Sequence, residues 1–408
     1  MKFGIESINF YTPHYYLDLE ALAQERGLDP QKYLRGLGQE KMAVPPPDED
    51  VVTMGANAAY RALENIERSS IDTIMFATES SIDQSKAAAI YVHKLLGLPT
   101  TCKAFEIKQA CCSSTTGLQI AQALVTQNPT QKILLVASDI ARYGFNTAGE
   151  PSQGAGAIAI VLSAQPCLLA FNGESGSYTE DVMDFWRPNY RDEALVDGKY
   201  SIKIYLKALA ESWKHYVKES GARFEDFYRF CYHLPFTRMA EKAHTHLAKI
   251  NKSTLTPTEQ YQQVADSLKF NPITGNCYTA SLYEGILSLM IESKEDLSEK
   301  RVGLFSYGSG CMATFFSGTF LPHYKRWLQG EAHHHMFATR KSLIYREYEN
   351  FYTHKLPSDG EDYVTAKHET GLFRIAGIKE HKRIYETCPI APPQRPPLQQ
   401  TKSITKWP

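Results

Sequence analysis

Short apolar runs rich in β-branched and aromatic residues alternate along this chain with longer stretches in which apolar residues recur at every third or fourth position. The first kind predicts strands at Lys2–Phe10, Thr73–Thr78, Ala104–Ile107, Lys132–Ser138 and Ala157–Leu162. The second predicts helices at Val52–Ile66, Lys86–Leu96 and Thr116–Thr126. Beyond residue 220 the same grammar returns. A strand at Phe227–His233 precedes a helix whose apolar face is Met239, Ala243, Leu247 and Ile250. A helix follows at Tyr278–Glu292, then buried strands at Arg301–Tyr307 and Ala313–Leu321 around the turn Tyr307–Gly310. Strands alternating with helices point to α/β layers with sheets covered on both faces. The recurrence points to two similar halves, residues 1–165 and 166–388. Residues 325–368 read as surface helices over the second half, and the Pro/Gln-rich stretch 389–408 as a disordered tail.

A length of 408 residues suits two such halves, and 43% hydrophobic with 22% charged residues lets either build a core. The formal net charge of −1 gives no global field that would draw the chain to nucleic acid or anionic lipid. Eight cysteines without a CxxC pair read as reduced thiols of a cytoplasmic protein. The start MKFGIESINFYTPHYY lacks the apolar core of a secretion signal, and no apolar run approaches the ~20 residues needed to span a bilayer.

Five features carry chemistry. Cys111, in FEIKQACCSSTTGLQ, falls where a strand turns into a helix; there the dipole and free amides would lower the pKa of a thiol and help form an oxyanion hole. Glu79, just past a buried strand, has the placement of a general base whose pKa rises on desolvation. His233 ends a strand before a proline turn, where a neutral imidazole can donate to an acyl oxygen. The glycines of the YGSG turn let amides approach a ligand. Asn276 stands at a helix entrance. Each has a plainer reading: a buried hydrophobe, a solvated acid, a structural histidine, a tight turn, a helix cap. The tract His333–His335 has no acid or cysteine at ligand spacing and reads as a surface accident rather than a metal site.

The blocks GIESINFYTPHYYLDLEALA, EDVVTMGANAA, ATESSIDQSKAAA, FEIKQAC, ASDIARYG, GEPSQGAGAIA, YTEDVMDFWRP, LVDGKYS, CYHLPFTRMAEKA and LFSYGSG occur in order, and together they strongly resemble the 3-hydroxy-3-methylglutaryl-CoA synthase family, in its compact bacterial form. The resemblance implies a thiolase-like fold: two similar halves, each with a five-stranded sheet, in a five-layered αβαβα arrangement, paired as a homodimer. It implies condensation of acetyl-CoA with acetoacetyl-CoA, and both thioesters are substrates, so no cofactor or metal is expected. Carried over by position, Cys111 is the residue that becomes acetylated, Glu79 the base and His233 the contact to acetoacetyl-CoA. Asn276 and Ser309 line the acyl site, with the amides of Cys111 and Ser309 as the oxyanion hole. Tyr143 and Ser152 are further pocket residues, and Ser201 and Lys242 belong to the CoA pocket. Arg238 and Lys242, four residues apart, form a pair suited to pyrophosphate. The KQAC and EPS stretches resemble relatives that work on a β-keto group tethered to an acyl carrier protein, which gives the alternative substrate. A non-catalytic acyl-CoA-binding paralogue is the second alternative; Glu79, Cys111 and His233 occurring together argue against it.

Overall fold

A computed structural model describes residues 2–388, so the expected tail at 389–408 lies outside the described residues. Nine strands form one sheet. They are β1 (Gly4–Tyr11), β2 (Thr73–Ala77), β3 (Lys103–Ile107), β4 (Ile133–Ile140), β5 (Ala155–Ser163), β6 (Leu169–Thr179), β7 (Arg229–Tyr232), β8 (Arg301–Gly308) and β9 (Met312–Phe320). Their order is β7-β8-β9-β6-β1-β5-β4-β2-β3. The helices that matter here are α1 (Val51–Ala62), α2 (Ala88–Leu96), α3 (Ser113–Gln127), α4 (Gly198–Ser220), α5 (Arg238–Ile250) and α6 (Ser281–Glu292).

Strand pairing shows the duplication that residue identities do not. In the first half β2 runs parallel to β3 and β4, while β4–β5 and β5–β1 are antiparallel. In the second, β7 is parallel to β8, while β8–β9 and β9–β6 are antiparallel. The halves meet where β1 pairs β6 at Gly4–Ala170 and Ile5–Leu169. Only glycine fits that junction: a Cβ on Gly4 would stand 2.0 Å from the Leu169 carbonyl oxygen.

Every residue of β5 is buried, as a strand covered on both faces must be. Helices α1 and α2 pack on the first half, α4 and α5 on the second. Between the halves α3 and α6 face one another, with the Thr115 and Tyr283 hydroxyls 3.0 Å apart.

Three expectations need correction. The second half has four strands, not five: among the described residues nothing replaces β3. Short helical turns at Pro257–Gln262, Ala265–Leu268 and Asn271–Thr274 run there instead. The reason is local, because Thr256 and Glu259 form a capping box around Pro257, a strong helix start. Residues 325–368 pack largely on the first half. Lys341–Leu343 pairs with Tyr15–Leu17, and Tyr348 shares a buried cluster with Leu17, Leu19 and Leu22. Ile250 is 42% exposed, and α5 buries His244 and Ala248 beside Met239, Ala243 and Leu247.

Candidate active site

Strand register brings the candidate residues to one edge. Ala77 of β2 lies opposite Ile107 of β3 and Ala137 of β4 in a parallel ladder. Glu79 and Cys111 follow the first two of these positions and Asp139, still within β4, the third, so all stand at the carboxyl ends of the parallel strands, where α/β folds gather functional groups. The second half repeats the device. Tyr232 of β7 pairs with Phe305 of β8, and His233 and Ser309 follow them.

Cys111 sits in a tight turn before α3, after Ala110 at φ 43°. Its thiol is 7% exposed and donates to Glu79 Oε1 at 2.6 Å. The expected lowering of the thiol pKa is not found. Burial, and then the negative Glu79, push Cys111 well above the ordinary thiol range. Desolvation and a carboxylate at contact distance outweigh the amides of one helix end. Glu79 is itself pushed up to about 8, by burial and by Asp139. The pair therefore holds a proton between a neutral thiol and a carboxyl group of raised pKa.

Asp139 was not marked by the sequence motifs as a site residue. Buried at the end of β4, it accepts from the amides of Glu79 and Ser80 at 2.9 Å and the Thr78 hydroxyl at 2.7 Å. Its other oxygen accepts from the amide of Thr279 at 3.1 Å. It thus fixes the loop carrying Glu79 against the turn that leads into α6. A carboxylate in the otherwise apolar run ILLVAS was the available signal, since a buried charge must be compensated. Arg187, also not singled out, donates to the Glu79 carbonyl oxygen.

Asn276 and Tyr143 are brought together: the Asn276 amide donates to the Tyr143 hydroxyl at 2.9 Å, while its oxygen accepts from the Tyr278 amide at 2.9 Å. The Tyr143 ring packs with Cys111, Phe185 and Tyr278. Ser152 reaches this group through its backbone, whose carbonyl accepts from the Asn276 backbone N–H at 3.2 Å; its hydroxyl donates to the Gly149 carbonyl oxygen at 2.7 Å.

The YGSG turn lies directly on the loop that carries Cys111. A Cβ on Gly308 would come within 2.5 Å of the Gln109 carbonyl oxygen and 2.8 Å of Cys112 Cβ, so glycine is obligatory. Ser309, the next residue, is held beside that loop. Buried Asp184 organises the turn, accepting from Tyr307 Oη at 2.6 Å, the Gly310 amide at 2.9 Å and Ser201 Oγ at 3.2 Å. Ser201, on the first turn of α4, is thereby tied to the YGSG turn rather than to Cys111.

His233 is 3% exposed, with Nδ1 3.2 Å from Ser281 Oγ. Burial lowers its pKa to about 3, so the imidazole is neutral and available as a hydrogen-bond donor. On α5, Arg238 is already engaged, bridging both oxygens of Glu241 at 2.7 Å and the Arg35 carbonyl at 3.1 Å. Lys242 is exposed beside the Phe236 ring and has no carboxylate partner among the described residues. Of the expected cationic pair, then, one member is internally neutralised.

Among the described residues no group of three His, Cys, Asp or Glu side chains is placed to hold a metal. His333 is buried rather than superficial: Nδ1 lies 2.8 Å from the Gln329 carbonyl oxygen and Nε2 accepts from the Phe10 amide at 3.3 Å. No described helix is long and apolar enough to cross a membrane.

Comparison with known proteins agrees with this architecture. Residues 1–166 match the family described as "Hydroxymethylglutaryl-coenzyme A synthase N terminal", and residues 169–260 and 249–326 match its "C terminal" counterpart. The chain is 41% identical over 360 residues to a hydroxymethylglutaryl-CoA synthase of Enterococcus faecalis, covering 88% of this chain and 94% of the relative. It is 35% identical to a polyketide biosynthesis 3-hydroxy-3-methylglutaryl-ACP synthase of Bacillus subtilis, covering 83% and 84% of the two chains. A crystal structure of an HMG-CoA synthase complexed with CoA superposes with a TM-score of 0.91 at 37% identity, over 95% of this chain and all of the other. With both halves matched in order and the fold reproduced, this chain belongs to the hydroxymethylglutaryl-CoA synthase family.

Proposed function

We propose that this protein condenses acetyl-CoA with acetoacetyl-CoA and releases 3-hydroxy-3-methylglutaryl-CoA, through an acetyl group carried on Cys111. The observation that carries the reading is the 2.6 Å contact between the Cys111 thiol and the Glu79 carboxyl group. Glu79 as carboxylate takes the thiol proton while sulfur attacks the acetyl carbonyl of acetyl-CoA. The oxyanion that forms lies between the amides of Cys111 and Ser309, and CoA leaves as its thiol. Glu79 then removes a proton from the acetyl methyl. The resulting enolate attacks the ketone of acetoacetyl-CoA, whose oxygen accepts a hydrogen bond from neutral His233 and then takes the proton that Glu79 removed from the methyl, giving the tertiary alcohol. Water cleaves the thioester to Cys111 and frees the product. Tyr143 and Asn276, locked to each other, wall the acyl pocket, with Ser152 behind them. The alternative acceptor is a β-keto group on an acyl carrier protein, favoured by the likeness to the B. subtilis relative. Steady-state turnover with acetoacetyl-CoA should exceed turnover with the carrier-bound acceptor at equal concentration. A preference for the carrier protein would reverse the assignment.

We place the CoA phosphates near α5 and Ser201. Because Glu241 neutralises Arg238, Lys242 is the cation left to contact them. Lys242→Ala should raise KM for CoA thioesters several-fold, flatten its salt dependence and leave kcat nearly unchanged, since phosphate binding is the same in ground and transition states. Arg238→Ala should do less. Equal effects of the two, or none, would remove Lys242 from this role.

A homodimer accompanies the reading. The outer edge of β3 pairs with no strand among the described residues, and an open edge is a template for a second copy. Sedimentation at the mass of two 46.0 kDa chains is expected, and a monomer would refute it.

A further inference from the structure

A second site lies away from Cys111, between the end of β1, α1 and the helix Gly330–Ala338. It is a cleft of about 240 Å³. Arg61, Arg340, His14, His335, Thr12 and Thr370 all line it. None belongs to the site already described.

Its two guanidinium groups are unusual in lacking a carboxylate in contact: neither forms an ion pair among the described residues. Arg340 is 8% exposed, and its donors go only to carbonyls, Pro13 at 3.1 Å, Ile273 at 2.6 Å and Tyr15 at 3.5 Å. Arg61 reaches Met336 Sδ at 3.5 Å and lies 5.9 Å from the centroid of the Tyr11 ring. Burying a charge without a partner costs several kcal/mol, so such groups are normally paired or serve a ligand.

The nearby acids act on these arginines only through space, and none forms an ion pair with them among the described residues. Glu49 behind Tyr11 accepts its hydroxyl at 2.6 Å, and burial pushes Glu49 up to about 8, so it is mostly neutral at pH 7. Glu369 is held at the rim by Lys341 and by His14, 3.0 Å away. Glu64 acts on Arg61 from a distance while its carboxylate accepts from Gln329 at 2.6 Å, and Glu284, which acts on Arg340, is pushed up to about 8 by burial and is mostly neutral at pH 7. His14, whose pKa burial lowers, adds a neutral imidazole, and Thr12 and Thr370 add hydroxyls.

We propose that this cleft binds a small oxyanion, gripped by the forks of Arg61 and Arg340, at a site separate from the one that holds CoA. Planar guanidinium forks match the paired oxygens of phosphate or carboxylate. The volume is below that of pockets for drug-sized molecules, which excludes CoA itself and leaves inorganic phosphate or a short carboxylic acid.

Titration calorimetry of inorganic phosphate into the full chain, with and without saturating CoA, tests this. One saturable site is expected, with an affinity unchanged by CoA and reduced tenfold or more by Arg61→Gln. His335→Glu, which alters an exposed residue and places an acid at the rim, should weaken it as well and guards against misfolding of the first variant. Repeating the titration with malonate distinguishes carboxylate from phosphate as the preferred group, and tighter binding of either supports the site. No saturable binding, binding displaced by CoA, or affinity retained in both variants overturns the proposal.

Discussion

Cys111→Ser is expected to abolish the acetyl-enzyme and to lower turnover by about 10⁴-fold or more, the scale seen when a covalent nucleophile is removed. A serine hydroxyl there can still donate to Glu79, so the fold should survive, but it is a far weaker nucleophile than a thiolate. Cys112→Ser is the matched control. Its thiol is fully buried, points away to Ser306 Oγ at 3.4 Å and is not in contact with Glu79. That exchange should leave stability nearly unchanged and most of the acetylation in place, because a serine hydroxyl there keeps the Ser306 and Thr314 hydroxyls as hydrogen-bond partners. Rapid-quench turnover and intact-mass measurements on the two variants check both halves of the expectation.

Glu79→Gln should separate the two chemical steps. Condensation should fall by about 10²–10⁴-fold, because an amide cannot take the methyl proton. Acetylation should suffer much less, because the substitution has two opposed effects on Cys111. It removes the acceptor of the thiol proton, yet it also removes the negative charge that helps hold the thiol pKa up. The pH dependence follows from the same pair. Glu79 works as a carboxylate and its pKa lies near 8, so the condensation rate should climb as pH rises toward 8 and level off above it. The climb belongs to the coupled thiol–carboxyl pair rather than to one residue. In Glu79→Gln it should disappear, and a wild-type profile flat from pH 6 to 9 would contradict the role of Glu79 as base.

Much of this site was legible before the structure, and the reason is register. Short strands such as the buried Thr73–Ala77 and the half-exposed outer strand Lys103–Ile107 are regular enough to read directly, and a residue just past such a strand is committed to the carboxyl end of the sheet. What could not be read was the distance between Glu79 and Cys111, which depends on β2 and β3 being neighbours and parallel. The thiol pKa was misjudged for the same reason. Sequence shows the helix that follows Cys111 but not the carboxylates brought beside it by other strands.

Other omissions have local causes. Strand β6 passes unnoticed because NGESGS, near its middle, has no apolar alternation; it is held by backbone pairing to β9. The longest helix described, α4, did carry signals: Asp197 caps its start, accepting from the Tyr200 amide at 3.1 Å, and Gly221 ends it at φ 68°. Lys203, Lys207 and Lys214, each next to one of Ile204, Ala208 and Trp213, mask that period. The engagement of Arg238 by Glu241 is legible in their spacing of three, which sets the two side chains on one face of α5.

The central claim, that one cysteine carries the acetyl group into the condensation, is tested most directly by a pulse and chase. Enzyme loaded with isotopically labelled acetyl-CoA is freed of excess thioester, half is digested for peptide mapping, and half is chased with acetoacetyl-CoA. The account predicts label on Cys111 alone, and its transfer on chase into 3-hydroxy-3-methylglutaryl-CoA. Label on Cys112, or label that leaves Cys111 only as free acetate when acetoacetyl-CoA is present, would contradict it.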